Sequence, residues 1–141
     1  MKNGKHRFLQ ICTVLVLMLT AAALCLMHVR RSLSAGTVRL ESAETRGAWL
    51  NLHGWHVGEP TDSEVRLPDT WQTAAGQRWL QIQQSQGLDP ERYAGKQAVR
   101  YVYPVEQGSS PYQRAELILC GSELVGAEIY DAATQLMQPV Y

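Results

Sequence analysis

The sequence predicts an α+β protein in which one N-terminal transmembrane helix is followed by a small domain of two helices packed on an antiparallel sheet. Three observations predict this class. A long uncharged apolar run lies near the start, two segments with helical spacing of apolar residues lie in the middle, and apolar and polar residues alternate in the last third. Helices and strands that are segregated along a chain are typical of α+β domains. A length of 141 residues leaves room for one modest domain and a short accessory segment.

The apolar run covers residues 8–27, which include no charged side chain. About 20 helical residues cover the roughly 30 Å hydrocarbon core of a bilayer. A buried core helix of this composition would need a large protein around it, and the rest of the chain is too short to supply one. Residues 8–27 are therefore predicted to span a membrane, which makes the lipid bilayer the first expected partner.

Charge divides the chain in the same way. The first 36 residues hold five of the 13 Lys and Arg residues and none of the 13 Asp and Glu residues. A basic anchor is therefore joined to an acidic domain, and an acidic domain is poorly suited to nucleic acid, whose binding depends on neutralising phosphates. We predict a short basic tail and signal anchor over 1–31, a linker over 32–43 and an extracytoplasmic domain over 44–141.

A cleaved signal peptide is the competing interpretation of the N-terminus. The apolar region of such a peptide has 7–15 residues, fewer than this run has. Ser32 and Ser34 could form a cleavage site before Ala35, but Arg30 and Arg31 intervene. The sequence favours a retained anchor on the cell membrane.

Two helices are expected in the first half of the domain. Ser42 can cap a helix over 43–53 whose apolar face is formed by Thr45, Ala48, Trp49 and Leu52. A second helix over 71–86, capped by Asp69 or Thr70, has the stripe Trp71, Ala75, Trp79 and Ile82. The four tryptophans all fall in this half, where they are expected to cover the sheet.

Strands are expected mainly in the last third. Alternation predicts short strands at 55–57 and 65–67, a longer strand around 99–103, and a hairpin of 115–120 with 124–130 about Gly121 and Ser122. One helical turn is expected to begin at Pro90. Cys120 is the one cysteine beyond the apolar run, so the domain has no internal disulfide, and we expect this residue to be buried in a strand.

Five short motifs follow one another along the domain: Gly54-Trp55-x-Val57, Val65-x-Leu67-Pro68, Gln83-x-x-Gln86-Gly87-Leu88-Asp89, Tyr93-x-Gly95-Lys96 and Arg100-Tyr101-x-Tyr103. In this order the segment 44–130 resembles a family of membrane-anchored proteins of Gram-positive Firmicutes, catalogued as domain of unknown function 4830. The resemblance implies a single compact extracytoplasmic domain and no assigned activity. Residues 126–129 and 135–139 depart from the pattern that such proteins usually show.

No assembled catalytic set, cofactor motif or metal site is predicted. His53 and His56 have a spacing that metal ligands sometimes use, but Gly54 breaks the helix between them and no further ligand follows nearby. Aromatic and basic residues on the strand and its preceding turn instead form a candidate binding surface, which comprises Tyr93, Lys96, Tyr101 and Tyr103.

Two classes of function remain open. The favoured one is a binding or interaction module at the cell envelope, whose partner is an envelope protein or a cell-wall component. The alternative is a small hydrolase or metal-dependent enzyme, which would require His53, His56, Glu59 or Cys120 to converge in one cleft. A regulator that signals across the membrane is a third possibility, but the short basic tail leaves little for a cytoplasmic partner to bind.

Overall fold

The computed structural model describes residues 37–141 and, ahead of them, Met18 alone. Two helices, a 3₁₀ turn and five strands follow one another in the described part: α1 (Ala43–Leu52), β1 (Thr61–Arg66), α2 (Ala74–Ser85), the 3₁₀ turn (Pro90–Tyr93), β2 (Gln97–Pro104), β3 (Gln113–Cys120), β4 (Glu123–Asp131) and β5 (Leu136–Gln138). The strands form one antiparallel sheet in the order β1-β2-β3-β4-β5.

The α+β class, with two helices on an antiparallel sheet, is confirmed, and the sheet is larger than expected. β1 joins the hairpin strands as an edge, and β5, which was not predicted, adds a fifth strand. β5 has three exposed residues and no apolar alternation, so the sequence has no strand signal there. The strand expected at 55–57 is wrong, because Val57 makes only an isolated bridge to Val105.

The anchor prediction concerns residues 8–27, which apart from Met18 lie outside the described residues. In the part that the structure describes, we find no helix with both the length and the apolar character needed to cross a bilayer.

Helix α1 begins where the sequence predicts. The Thr45 N–H donates to Ser42 Oγ at 3.1 Å, and the Ser42 N–H donates to Thr45 Oγ1 at 2.9 Å, which together form a capping box. The predicted apolar face is wrong, since Leu50 is fully buried and Leu52 is 81% exposed. The inward stripe instead includes Arg46, whose guanidinium packs on the sheet. Because this inner position is polar, the spacing of apolar residues alone does not identify the buried face of the helix.

Helix α2 begins three residues later than expected. Thr73 caps it, with its Oγ1 accepting from the Gly76 N–H at 3.1 Å, in place of Asp69 or Thr70. Trp71 consequently precedes the helix, where it is buried. The helical residues that are fully covered are Leu80 and Gln83, so here too a polar side chain occupies the inner face.

Two hydrophobic clusters stabilise the domain. The first contains Leu50 of α1 and, among others, Tyr103, Leu117, Leu119 and Ile129 of the sheet. The second comprises Leu67, Ala98, Ile118 and Val125, with Val65, Trp79, Tyr93 and Cys120 packed against it. Cys120 lies at the end of β3 as a half-buried residue, less covered than predicted, and its thiol donates to the Gln97 carbonyl at 3.4 Å.

The outer edge of β4 is covered by three different parts of the chain. The segment before α1 pairs with its start, through Leu40 N–H to Ser122 O and Leu124 N–H to Val38 O, both 2.8 Å. β5 pairs with its end. Between them, Gln83 of α2 and Gln86, which follows its last residue, bond the backbone of Ala127. Gln83 Oε1 accepts from its N–H and Gln86 Nε2 donates to its carbonyl, both at 2.8 Å. A strand edge that would otherwise expose unpaired backbone groups is thereby satisfied.

Candidate binding pocket

The predicted surface of Tyr93, Lys96, Tyr101 and Tyr103 is not one continuous surface in the structure. Tyr103 is 2% exposed, and its hydroxyl accepts from Arg46 Nε at 3.1 Å. Tyr101 is half-buried beneath the same guanidinium, whose carbon lies 3.9 Å from the ring centroid. Both rings face α1, because residues two apart on β2 point to the same side of the sheet. Tyr103 is therefore a core residue, which corrects the prediction for this position.

Tyr93 and Lys96 belong to the second cluster's side of the domain. The ammonium of Lys96 lies 5.1 Å from the Tyr93 ring centroid, and the Tyr93 hydroxyl donates to Glu123 Oε2 at 2.5 Å. This hydrogen bond to a carboxylate is the main reason why the pKa of Tyr93 is raised. A binding role for these two residues stays a prediction.

The residues that the enzyme alternative required are held in different surroundings. His53 Nδ1 lies 2.8 Å from the Trp49 carbonyl oxygen, and its ring stacks on Tyr141 at a centroid distance of 4.5 Å. Cys120 packs against the second cluster instead. Within residues 37–141 the structure places no group of three or more His, Cys, Asp and Glu side chains where they could hold a metal ion.

A concave pocket of about 400 Å³ lies between α2, the end of β1 and the middle strands of the sheet. We call it the tryptophan pocket. Its apolar walls are formed by Val65, Leu67, Pro68, Trp71, Ala75, Trp79, Ile118 and Met137, and its polar lining comes from Arg66, Arg100, Glu116 and Glu128. Apolar walls with a few converging polar groups are typical of small-ligand sites.

The indole rings of Trp71 and Trp79 form one wall. They are parallel to within 6°, with centroids 6.3 Å apart. Trp71 is fixed from its backbone, since Gln77 Nε2 donates to its carbonyl oxygen at 2.6 Å. Trp79 projects from α2 onto β4 at Gly126, where a Cβ atom would lie only 2.7 Å from its Cζ2. The missing side chain at Gly126 thus lets the indole approach the strand.

Replacing this glycine tests the packing of the wall. Gly126→Ala is expected to lower the free energy of unfolding by about 1–3 kcal/mol, because the added methyl must displace the Trp79 ring. Urea unfolding of the segment 37–141 measures it. Gly47→Ala on α1 is the matched control, since a Cβ there meets nothing within 4 Å, and replacing glycine by alanine inside a helix should stabilise by up to about 1 kcal/mol. Equal effects of the two substitutions would contradict the contact.

Two carboxylates line the pocket on neighbouring strands. Glu116 of β3 and Glu128 of β4 are direct partners in the antiparallel register, so their side chains leave the same face of the sheet. Arg100 Nε lies 3.8 Å from Glu116 Oε1. Glu128 is 5% exposed, and its Oε2 accepts from Gln83 Nε2 at 3.1 Å. A nearly buried carboxylate thus stands beside a second one.

This arrangement changes the protonation of both acids. Burial, and after it the charge of Glu116, raise the pKa of Glu128 to about 7, while hydrogen bonds from Trp79 and Gln83 and the Arg100 charge oppose the shift. Burial also raises the pKa of Glu116, and Arg100 partly offsets this. Glu128 therefore changes charge near neutral pH, where a bound group can decide its state.

The sequence interpretation missed all the residues of this pocket as site residues. The one available signal was Glu128, an acid inside the otherwise apolar stretch of β4. The residue that lies opposite Glu128 on β3 could not be predicted from the hairpin turn. The turn pairs Cys120 with Glu123, and continuing that register would place Ala127 opposite Glu116. A β-bulge between Ile118 and Leu119 shifts the register by one residue and places Glu128 there.

Comparisons with known proteins add no information about function, so the proposal below is based on the geometry of the pocket. No family model, no curated protein and no solved structure matches the chain. The family resemblance drawn from the sequence motifs accordingly stays a prediction.

Proposed function

We propose that this chain is a membrane-tethered binding module whose domain lies outside the cytoplasm and whose ligand places an apolar group in the tryptophan pocket. The observation that carries the proposal is the pocket itself. Its volume of about 400 Å³ suits a small organic group or a side chain, and its walls are predominantly apolar. Paired indole faces add contact area with little loss of side-chain freedom, which is why tryptophan is enriched at binding sites.

The tether is supported by the sequence. The uncharged residues 8–27 have the length of one span, and a short basic segment precedes them. A domain held at the outer membrane face meets envelope components, so an envelope protein or a cell-wall component is the partner class that we propose. The motif resemblance described above agrees with this placement.

Filling the pocket tests the binding proposal. Ala75 lines the pocket near the start of α2, and its neighbour Ala74 does not line it, although both are exposed. With 4-phenylbutanol as a neutral probe, Ala75→Trp should weaken binding by about tenfold or more, because the new ring occupies the cavity, whereas Ala74→Trp should leave it unchanged. Isothermal titration calorimetry measures both affinities. Absence of binding to the wild-type chain, or equal effects of the two substitutions, would overturn the pocket as the site.

Topology is tested separately. Reporters that are active only inside or only outside the cell are fused after Tyr141. An outside signal is the expected result, because a short basic tail before a single span favours an inside N-terminus. An inside signal would overturn the extracytoplasmic placement and direct the search toward cytoplasmic partners, without bearing on whether the pocket binds.

A further inference from the structure

Resting on the binding function proposed above, we infer that the tryptophan pocket takes an organic cation: a primary ammonium group on an apolar stem, of the kind that a lysine side chain carries. The ammonium lies against Glu116 and Glu128, and the stem lies along the indoles of Trp71 and Trp79.

The charged groups of the pocket are unevenly paired. Arg100 Nε lies 3.8 Å from Glu116 Oε1, whereas Glu128 takes part in no ion pair within the described residues. Arg66 also lines the pocket, but its Nε donates to the Gly95 carbonyl at 3.1 Å and its Nη2 lies 3.3 Å from Asp69 Oδ1. A cationic ligand would therefore supply the opposite charge that Glu128 lacks once it is ionised.

The apolar walls of the pocket favour a cation that is attached to an apolar group. Val65, Leu67 and Ile118 line the same pocket as the two indoles and the carboxylates, so a ligand in the pocket meets apolar surface and carboxylates together. An alkyl stem buries its surface there, and a cation close to an indole face gains a further electrostatic attraction. A bare inorganic cation has no stem to bury, so it leaves the walls unused.

Glu128 couples such binding to a proton. The groups that face it are Glu116 on β3, Arg100 on β2, and Trp79 and Gln83 on α2. An ammonium ion favours the ionised carboxylate, so it binds by releasing the proton that Glu128 holds near neutral pH. The affinity for a cation should accordingly rise with pH through about 7, and the affinity for a neutral molecule of the same shape should not.

Two probes of equal shape test the inference on the full chain in zwitterionic lipid nanodiscs, with empty nanodiscs as the blank. By isothermal titration calorimetry, 4-phenylbutylamine should bind about tenfold more tightly than 4-phenylbutanol, which corresponds to one charge-assisted hydrogen bond. Its advantage should grow as the pH is raised across neutrality. If the alcohol binds as well as the amine at every pH, the cation inference is overturned and the pocket proposal stands. If neither binds, both fail.

Removing one charge makes the test specific. Glu128→Gln keeps the side-chain shape and an oxygen for the Gln83 amide, so we expect this variant to fold. It should lose about tenfold in amine affinity with the alcohol unchanged. Glu64→Gln, on the exposed face of β1, is the matched control and should bind both probes like the wild type. Loss of amine affinity in both variants would reduce the effect to general charge attraction and overturn the specific site.

The source of the ammonium is decided by a further pair of probes. Nα-acetyl-lysine methylamide represents a lysine within a peptide, and pentylamine represents a free amine. Either order of affinity supports the ammonium site, and the tighter probe names the source. Failure of both to compete with 4-phenylbutylamine would overturn the assignment of the ammonium to Glu116 and Glu128.

Discussion

Glu128→Gln is expected to stabilise the domain by about 3 kcal/mol at mildly alkaline pH. The wild-type side chain is 5% exposed and has a pKa of about 7, against an ordinary 4.5. Each unit of that difference corresponds to about 1.4 kcal/mol that folding must supply once the carboxylate ionises. Glutamine accepts the same hydrogen bond from Gln83 without a charge to desolvate. Urea unfolding of the segment 37–141 at about pH 8 measures the gain.

The raised pKa of Glu128 determines whether the free energy of unfolding rises or falls with pH. The folded protein holds a proton on Glu128 that the unfolded chain releases above about 4.5, so the contribution of Glu128 to stability is greatest below that pH and is lost as the pH rises through about 7. Glu116, whose pKa is also raised, contributes in the same direction. The Glu128→Gln variant should show a flatter profile, and the exposed Glu64→Gln variant should keep the wild-type one. An unchanged slope after Glu128→Gln would contradict a buried titrating carboxylate.

A stabilising effect of Glu128→Gln would indicate that Glu128 serves a task other than stability. Buried carboxylates are destabilising unless they are paired with opposite charge, and here the facing side chain in the register is another carboxylate. The cation binding that we infer for the tryptophan pocket would be such a task. Stabilisation by Glu128→Gln together with loss of amine binding would be the expected exchange of function for stability.

Much of the fold could be predicted because it depends on local signals. The capping of α1 by Ser42, the 3₁₀ turn at Pro90 and the hairpin about Gly121 each involve residues a few positions apart. The start of α2 was missed by three residues because several capping residues stand before it, and only one of them, Thr73, bonds the helix. The inner face of α1 was misplaced, and that of α2 was predicted only at Trp79, because Arg46 and Gln83, both polar, point inward to partners on distant strands.

The pocket could not be predicted for a related reason. Its carboxylates meet only because the β-bulge at Ile118 and Leu119 shifts the hairpin register, and one residue of shift exchanges which side chains face each other. The approach of Trp79 to Gly126 spans two elements that periodicity treats separately. Local patterns therefore predict the elements, whereas the pocket depends on contacts between elements that are distant in the sequence.

Gln83→Leu is expected to lower the free energy of unfolding by about 3 kcal/mol. Gln83 is fully buried, and its amide accepts from the Ala127 N–H at 2.8 Å and donates to Glu128 Oε2 at 3.1 Å. Leucine has a similar size but bonds neither group, so a buried backbone donor and a buried carboxylate lose their partners together. Urea unfolding of the segment 37–141 measures the loss, with exposed Gln81→Leu on the same helix as the control, where a change within about 0.5 kcal/mol is expected.

The loss should also depend on pH, which separates the two lost hydrogen bonds. The Gln83 amide lowers the pKa of Glu128, so removing it raises that pKa further and makes ionisation more costly. The Gln83→Leu penalty should therefore be larger above neutral pH than below it, and the part that persists at low pH reports the unpaired Ala127 N–H at the edge of β4. A penalty no larger than that of Gln81→Leu would mean that water replaces both bonds. In that case α2 would be held on the sheet by apolar contacts, such as those of Leu80 and Trp79, rather than by its glutamines.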